Sequence, residues 1–110
     1  MPRYKMIALT NPVEGREDEF NDWYQNVHLP QVCALPGIKG AQRYRSAAAL
    51  QDPFGRKYLA VYDIETDNLG ATLGAFGQAA QSGALTSSDA ANNADAYTVI
   101  FEEFGERVGG

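Results

Sequence analysis

The sequence predicts an α+β fold of order β-α-β-β-α-β, a four-stranded antiparallel sheet with two helices on one face. Three observations predict it. Four β-rich runs are divided by two stretches of helical periodicity. The second and third runs are joined only by a turn-rich segment, so they pair directly as a hairpin. The 110 residues suffice for one ordinary core, which makes residues 1–110 a single domain.

The first strand is RYKMIALTN (3–11), ended by the turn signal Asn11-Pro12. From Gly15 to about Val27, Phe20, Trp23, Tyr24 and Val27 recur at three- and four-residue spacing. Glu17, Asp18 and Glu19 fall in the first turn of this helix, where acidic side chains complement the helix dipole. Pro30 has no N–H for the carbonyl of Asn26 and biases Leu29 away from helical dihedrals. The helix is therefore expected to kink or end near His28, with Pro30 placed for a restart. LPGIKG is a turn, IKGAQRYRS (38–46) the second strand, QDPFG part of a hairpin connection, and RKYLAVYDIE (56–65) the third strand.

Asp67 or Asn68 is positioned to cap a second helix, with Leu69, Leu73, Phe76 and Ala80 on its inner face. Gly70, Gly74 and Gly77 share one stripe of that helix, a smooth surface suited to close packing on a neighbouring element. QSGALTSSDAANNADA (81–96) has the composition of a flexible connection, and AYTVIFEEF (96–104) is the fourth strand. The resulting order is the split βαβ, or ferredoxin-like, arrangement. Both sheet faces are apolar: Tyr58, Ala60, Tyr62 and Ile64 oppose Leu59 and Val61, and Met6 and Ala8 oppose Ile7 and Leu9. Two helices cover one face, so the other requires a partner, and a second copy of the chain is the economical one.

Composition narrows the function. A net charge of −5 disfavours sequence-independent nucleic-acid binding, which relies on clustered cations. No apolar run approaches the ~20 residues that span a bilayer, and residues 1–10 do not read as a signal peptide, so a cytoplasmic location is expected. One histidine and one cysteine cannot form the usual zinc ligand sets, and no dinucleotide or phosphate-loop fingerprint is present. No metal or cofactor is expected.

His28 is the single histidine. It lies four residues after Tyr24 and eight after Phe20, which turns it inward with them. At a helix end the dipole favours imidazolium while apolar neighbours favour the neutral form, so titration within reach of neutral pH is expected. Such an imidazole is either a general base facing a cleft or a hydrogen-bonded structural residue. Cys33 reads as a small core residue. Trp23, Tyr24 and Tyr44 are candidates for an apolar substrate site, with Asn11 at the end of the first strand. Arg43 is placed to hold a carboxylate or phenolate, or else is simply solvated.

Trp23-Tyr24, His28 and Pro30 form a W-Y-x3-H-x-P run, followed by Pro36-Gly37 and by Arg43-Tyr44 on the second strand. This resembles the EthD-like proteins of the dimeric α/β-barrel superfamily, over essentially the whole chain. The resemblance implies a homodimer whose sheets face each other as a barrel, with a ligand cleft between sheet and helices in each subunit. It implies chemistry of the superfamily's kind: cofactor-free isomerases of muconolactone type, polyketide cyclases, quinone-forming monooxygenases or haem-degrading enzymes. Only the motif histidine carries over, onto His28. A second histidine is lacking, so a lone base needs Tyr62, Tyr44 or an arginine as its acid partner. The leading expectation is an enzyme that abstracts a proton from a small aromatic, quinone-like or lactone compound, with His28, Tyr62 and Arg43 catalytic. The alternatives are a non-catalytic small-molecule binder or catabolic accessory protein, and a haem protein with His28 as axial ligand.

Overall fold

The computed structural model describes residues 1–109; Gly110, the last residue of the expected domain, lies outside the described residues. Strands β1 (Arg3–Thr10), β2 (Ile38–Arg45), β3 (Tyr58–Glu65) and β4 (Tyr97–Glu102) form one sheet in the order β2-β3-β1-β4. Every neighbouring pair is antiparallel. This is the ferredoxin-like topology expected from the element order.

The register shows why both faces are apolar. Met6 pairs with Tyr62, Ala8 with Ala60 and Thr10 with Tyr58, and these buried residues form one face. The first helix packs Phe20, Tyr24, Leu29 and Val32 against it. On the opposite face Ile7 pairs with Val61 and Val99, and Leu9 with Leu59 and Tyr97. Tyr44, Tyr97 and Phe101 are exposed there, framed by the Lys5–Asp63 ion pair.

The first helix changes at the proline as expected, with Pro30 in the first turn of a restarted α-helix, but its backbone stays helical throughout. It runs as α1 (Glu17–Trp23), a π-helical turn (Tyr24–His28) and α2 (Leu29–Cys33), all in the right-handed helical region. Leu29 has φ −57° and ψ −49°, so the bias of a pre-proline residue against helical dihedrals is overridden. The physical reason lies in what Leu29 gains. Its side chain is buried in the core, and its N–H reaches back five residues to the carbonyl of Tyr24. Pro30 offers no donor, so the wider turn sacrifices less there than elsewhere. The chain turns only after Cys33, where Gly37 adopts φ +85°. That backbone conformation favours glycine, and a Cβ there would also crowd the Thr72 side chain at 3.2 Å.

Helix α3 (Leu69–Ser82) is capped by Asn68, whose side chain accepts from the N–H of Ala71 at 3.0 Å. Its inner face differs from expectation. Thr72 and Ala79 are buried and Phe76 packs on the core, whereas Leu73 is 40% exposed and Ala80 is also exposed. In this rotation the Thr72 hydroxyl donates to the Thr66 hydroxyl at 2.8 Å. The expected close packing on the glycine stripe does not occur among the described residues: a Cβ at Gly74 or Gly77 would meet nothing within 4 Å.

The 81–96 stretch is tied down rather than loose. Val13 N–H donates to Ala90 at 2.7 Å, Asn92 N–H to Asn11 at 3.0 Å, and Thr86 N–H to the Gln31 side chain at 2.7 Å. Ala90 is completely buried. The alanines that made the stretch look featureless are what allow the backbone to come this close. Among the described residues, no helix is long and apolar enough to cross a membrane.

Candidate functional site

The π-helical turn determines the site's geometry. In an α-helix, residues five apart point about 140° away from each other. Here Trp23 and His28, five apart, stack with ring centroids 4.8 Å apart and an interplanar angle of 27°. Tyr24 meets the same imidazole edge-on at 4.9 Å. The wider turn thus gathers three aromatic side chains onto one side of the helix, and turns of this kind recur at functional sites.

These side chains form a wall of a cleft of about 140 Å³ between the first helix, the sheet, α3 and the 91–96 segment. Tyr62 and Met6 supply its floor, Phe76 the α3 side, and Asn93 and Ala96 the rim. Tyr62 donates a hydrogen bond to the Tyr24 hydroxyl at 3.1 Å. Burial pushes the Tyr62 phenol far up, helped by Tyr24, and burial also raises Tyr24. Both stay protonated, so together they offer hydrogen-bond donors and no phenolate.

His28 is held neutral. Desolvation lowers its pKa from 6.5 to about 4. The expected titration near neutral pH is corrected here for a specific reason. The dipole that would favour the cation acts at a helix end, and this helix continues to Cys33. Desolvation is then left unopposed. Its Nδ1 is buried with no hydrogen-bond partner among the described residues, as is the Trp23 Nε1.

The low pKa has a consequence for stability. Between pH of about 6.5 and about 4 the unfolded chain binds a proton that folded His28 refuses, so acid favours unfolding in that window. Stability should fall as pH drops through it and level off below. The shift is worth about 3 kcal/mol. Urea unfolding near pH 7 and near pH 4 should show wild type losing about that much more than His28→Gln. Equal losses in the two proteins would mean that the imidazole is solvated.

The structure thus brings together His28, Tyr62, Trp23 and Tyr24 and leaves three other sequence candidates outside. The Arg43 guanidinium lies 4.8 Å from the Tyr24 ring centre, 5.4 Å from Tyr58 and 5.7 Å from Phe20. It donates to the Asn21 side chain at 2.7 Å, and burial lowers its pKa. It stacks on Tyr24 without lining the His28 cleft. Instead it borders a separate depression of about 340 Å³ with Tyr44, Arg45 and Tyr58. Tyr44 is 52% exposed there. The Asn11 side chain donates to Gly55 and Asp95 and accepts from Lys57 N–H at 2.8 Å, so it joins two loops. Among the described residues, no group of three or more His, Cys, Asp and Glu is arranged to hold a metal ion.

Sequence reasoning missed Thr10, Phe76, Asn93 and Thr98, all on the cleft wall. Thr10 carried a usable signal, since it continues the Met6, Ala8 alternation of β1. Asn93 carried none, because an irregular segment has no periodicity to reveal which side chains point inward.

No protein-family model matches the chain, and no curated protein sequence matches it. Solved structures do. An ethyl tert-butyl ether D (EthD) family protein of Bacillus halodurans C-125 is 20% identical with a TM-score of 0.65, over 94% of this chain and 100% of that one. HapK of Hahella chejuensis is 21% identical with a TM-score of 0.60, over 97% and 98%. A dimeric ferredoxin-like protein of unknown function from Jannaschia sp. CCS1 is 15% identical with a TM-score of 0.60, over 92% and 99%. At these identities the shared property is the backbone. The chain has the ferredoxin-like fold of an EthD family protein, along essentially its whole length.

Proposed function

We propose that this chain is an EthD-like protein that acts, as a homodimer and without a cofactor, on a small aromatic, quinone-like or lactone metabolite. The observation that carries the reading is one cleft containing a neutral imidazole and a hydrogen-bonded pair of protonated phenols. His28 takes a proton from a carbon or hydroxyl acid, and the electron pair moves onto the substrate oxygen. Tyr24 or Tyr62 donates a hydrogen bond to that developing oxyanion. The imidazolium then returns its proton, to another carbon in an isomerisation or to a leaving group in an elimination. Arg43 acts as a positioning residue behind Tyr24. A single domain working in the cytoplasm fits the chain's size and composition.

The partner copy would cover the sheet face bearing Ile7, Leu9, Val61 and Val99, and the dimeric neighbour of the same fold supports this. Sedimentation at micromolar concentration should give about twice the chain mass. A stable monomer throughout that range would end the barrel reading.

The catalytic reading is tested by screening phenols, quinones and lactones for binding by thermal shift and then for turnover, with His28→Gln alongside. A base near pKa 4 is as weak as a carboxylate, and this supports a second reading, non-catalytic binding in the same cleft. In that case wild type and His28→Gln would both bind and neither would turn over.

A further inference from the structure

Among the described residues, the walls of the His28 cleft contain no lysine, arginine, aspartate or glutamate. Two of the neighbouring charged side chains are committed elsewhere. Arg43 lies against Tyr24 and donates to Asn21, and Asp95, flanking the rim, is held by Arg56 and Asn11. What the cleft does hold is unspent hydrogen-bonding capacity. Trp23 Nε1 and His28 Nδ1 are buried without partners. Of the two phenolic protons of Tyr24 and Tyr62, one is used between them and one remains. Buried polar groups are ordinarily paired, and leaving two orphaned on adjacent stacked rings is costly.

The size of the space limits a ligand there. About 140 Å³ is close to a cavity that holds one benzene ring, so a single ring fills the part of the cleft lined by His28 and its neighbours. An anion in it would lose its hydration without gaining a cation.

We propose that the cleft takes an uncharged, single-ring compound bearing oxygen, such as a phenol, enone or small lactone, and rejects carboxylates of the same size. The ligand oxygen accepts from the free tyrosine proton, and a ligand hydroxyl donates to the imidazole. This rests on the reading of the cleft as the ligand site and adds to it the charge and size of what enters.

Trp23 is the only tryptophan, so its fluorescence reports the cleft directly. Phenol, benzamide and benzoate are titrated at pH 7 into the full chain. Benzamide and benzoate are nearly isosteric and differ in charge. Phenol and benzamide should give saturable changes with Kd of about 1 mM or tighter, within the range of small fragments. Benzoate should bind at least about tenfold more weakly than benzamide. Ala96→Phe, at the exposed rim, should abolish the response. Benzoate binding as well as benzamide would overturn the charge assignment while leaving the cleft a ligand site. No saturable response to either neutral probe would overturn both this inference and the cleft reading beneath it. An undiminished response in Ala96→Phe would place the binding elsewhere and overturn the assignment to this cleft. The wild-type titrations decide the first two outcomes without the variant.

Discussion

Phe20→Ala is expected to destabilise the fold by about 3–5 kcal/mol, the usual loss for a large aromatic side chain removed from a packed interior. Phe20 has no exposed surface. Its ring meets Tyr24 edge-on and Tyr58 at a tilt, each with centroids 5.5 Å apart, and Arg43 lies over it. Alanine would leave a cavity that none of these neighbours can fill, because each is held by another contact. Tyr58 is hydrogen-bonded to Glu17 and Asn21, Arg43 to Asn21, and Tyr24 to Tyr62. Partial collapse is therefore blocked, which puts the cost toward the upper part of the range. Leu50→Ala is the control, because Leu50 is fully exposed in the β2–β3 connection and should change stability by no more than about 0.5 kcal/mol. Urea midpoints at one fixed protein concentration compare the two. Similar losses in both variants would mean that Phe20 does not anchor the helix to the sheet.

Phe20 also marks how far the sequence could be read. Its spacing to Trp23, Tyr24 and Val27 identified the helix and its buried side, because a helix exposing that stripe would leave three rings in water. Alternation along β3 likewise identified Tyr58, Ala60, Tyr62 and Ile64 as one face. What spacing could not convey was the extra residue in the turn at Tyr24–His28. Proline argues for a break from local sterics alone, whereas the outcome depended on Leu29 and Val32 both finding places in the core. That is tertiary information. The same limit applies to α3: the hydrophobic pattern pointed to Leu73 and Ala80, whereas the rotation adopted buries Thr72 and Ala79 and includes the Thr66–Thr72 hydrogen bond. The pairing of His28 with Trp23 followed from the π-helical turn, so the motif located the site but not its internal geometry. Arg43 and Tyr44 were plausible partners on residue type, yet adjacent positions on a strand face opposite ways. Register puts Tyr44 on the opposite face with Leu59, whereas Arg43 shares the helix-covered face with Ala60 and is kept off the cleft wall by its contacts with Tyr24 and Asn21.

His28→Gln is expected to lower turnover of a true substrate by roughly 10²–10⁴, the usual worth of a positioned general base. Glutamine retains hydrogen-bonding atoms and similar bulk but cannot accept the proton, so the Trp23 response to neutral ligands should survive. Loss of turnover with binding retained is the result that separates a catalytic imidazole from one that only shapes the cleft. The pH profile provides an independent check. The neutral imidazole is the active form, and with a pKa of about 4 it is almost fully present from mildly acidic pH upward. In wild type kcat/KM should therefore rise with pH only through about 4 and stay level across the neutral range. A rise centred near pH 6.5 instead would mean that the free protein solvates His28 and that its base strength is ordinary. Substrate binding that desolvates the cleft further would push the profile for kcat lower than that for kcat/KM, since burial disfavours the cation more strongly in the complex. Turnover by a folded His28→Gln protein at the wild-type rate would assign the imidazole to packing against Trp23 and Tyr24 and would move the search for a base to another residue.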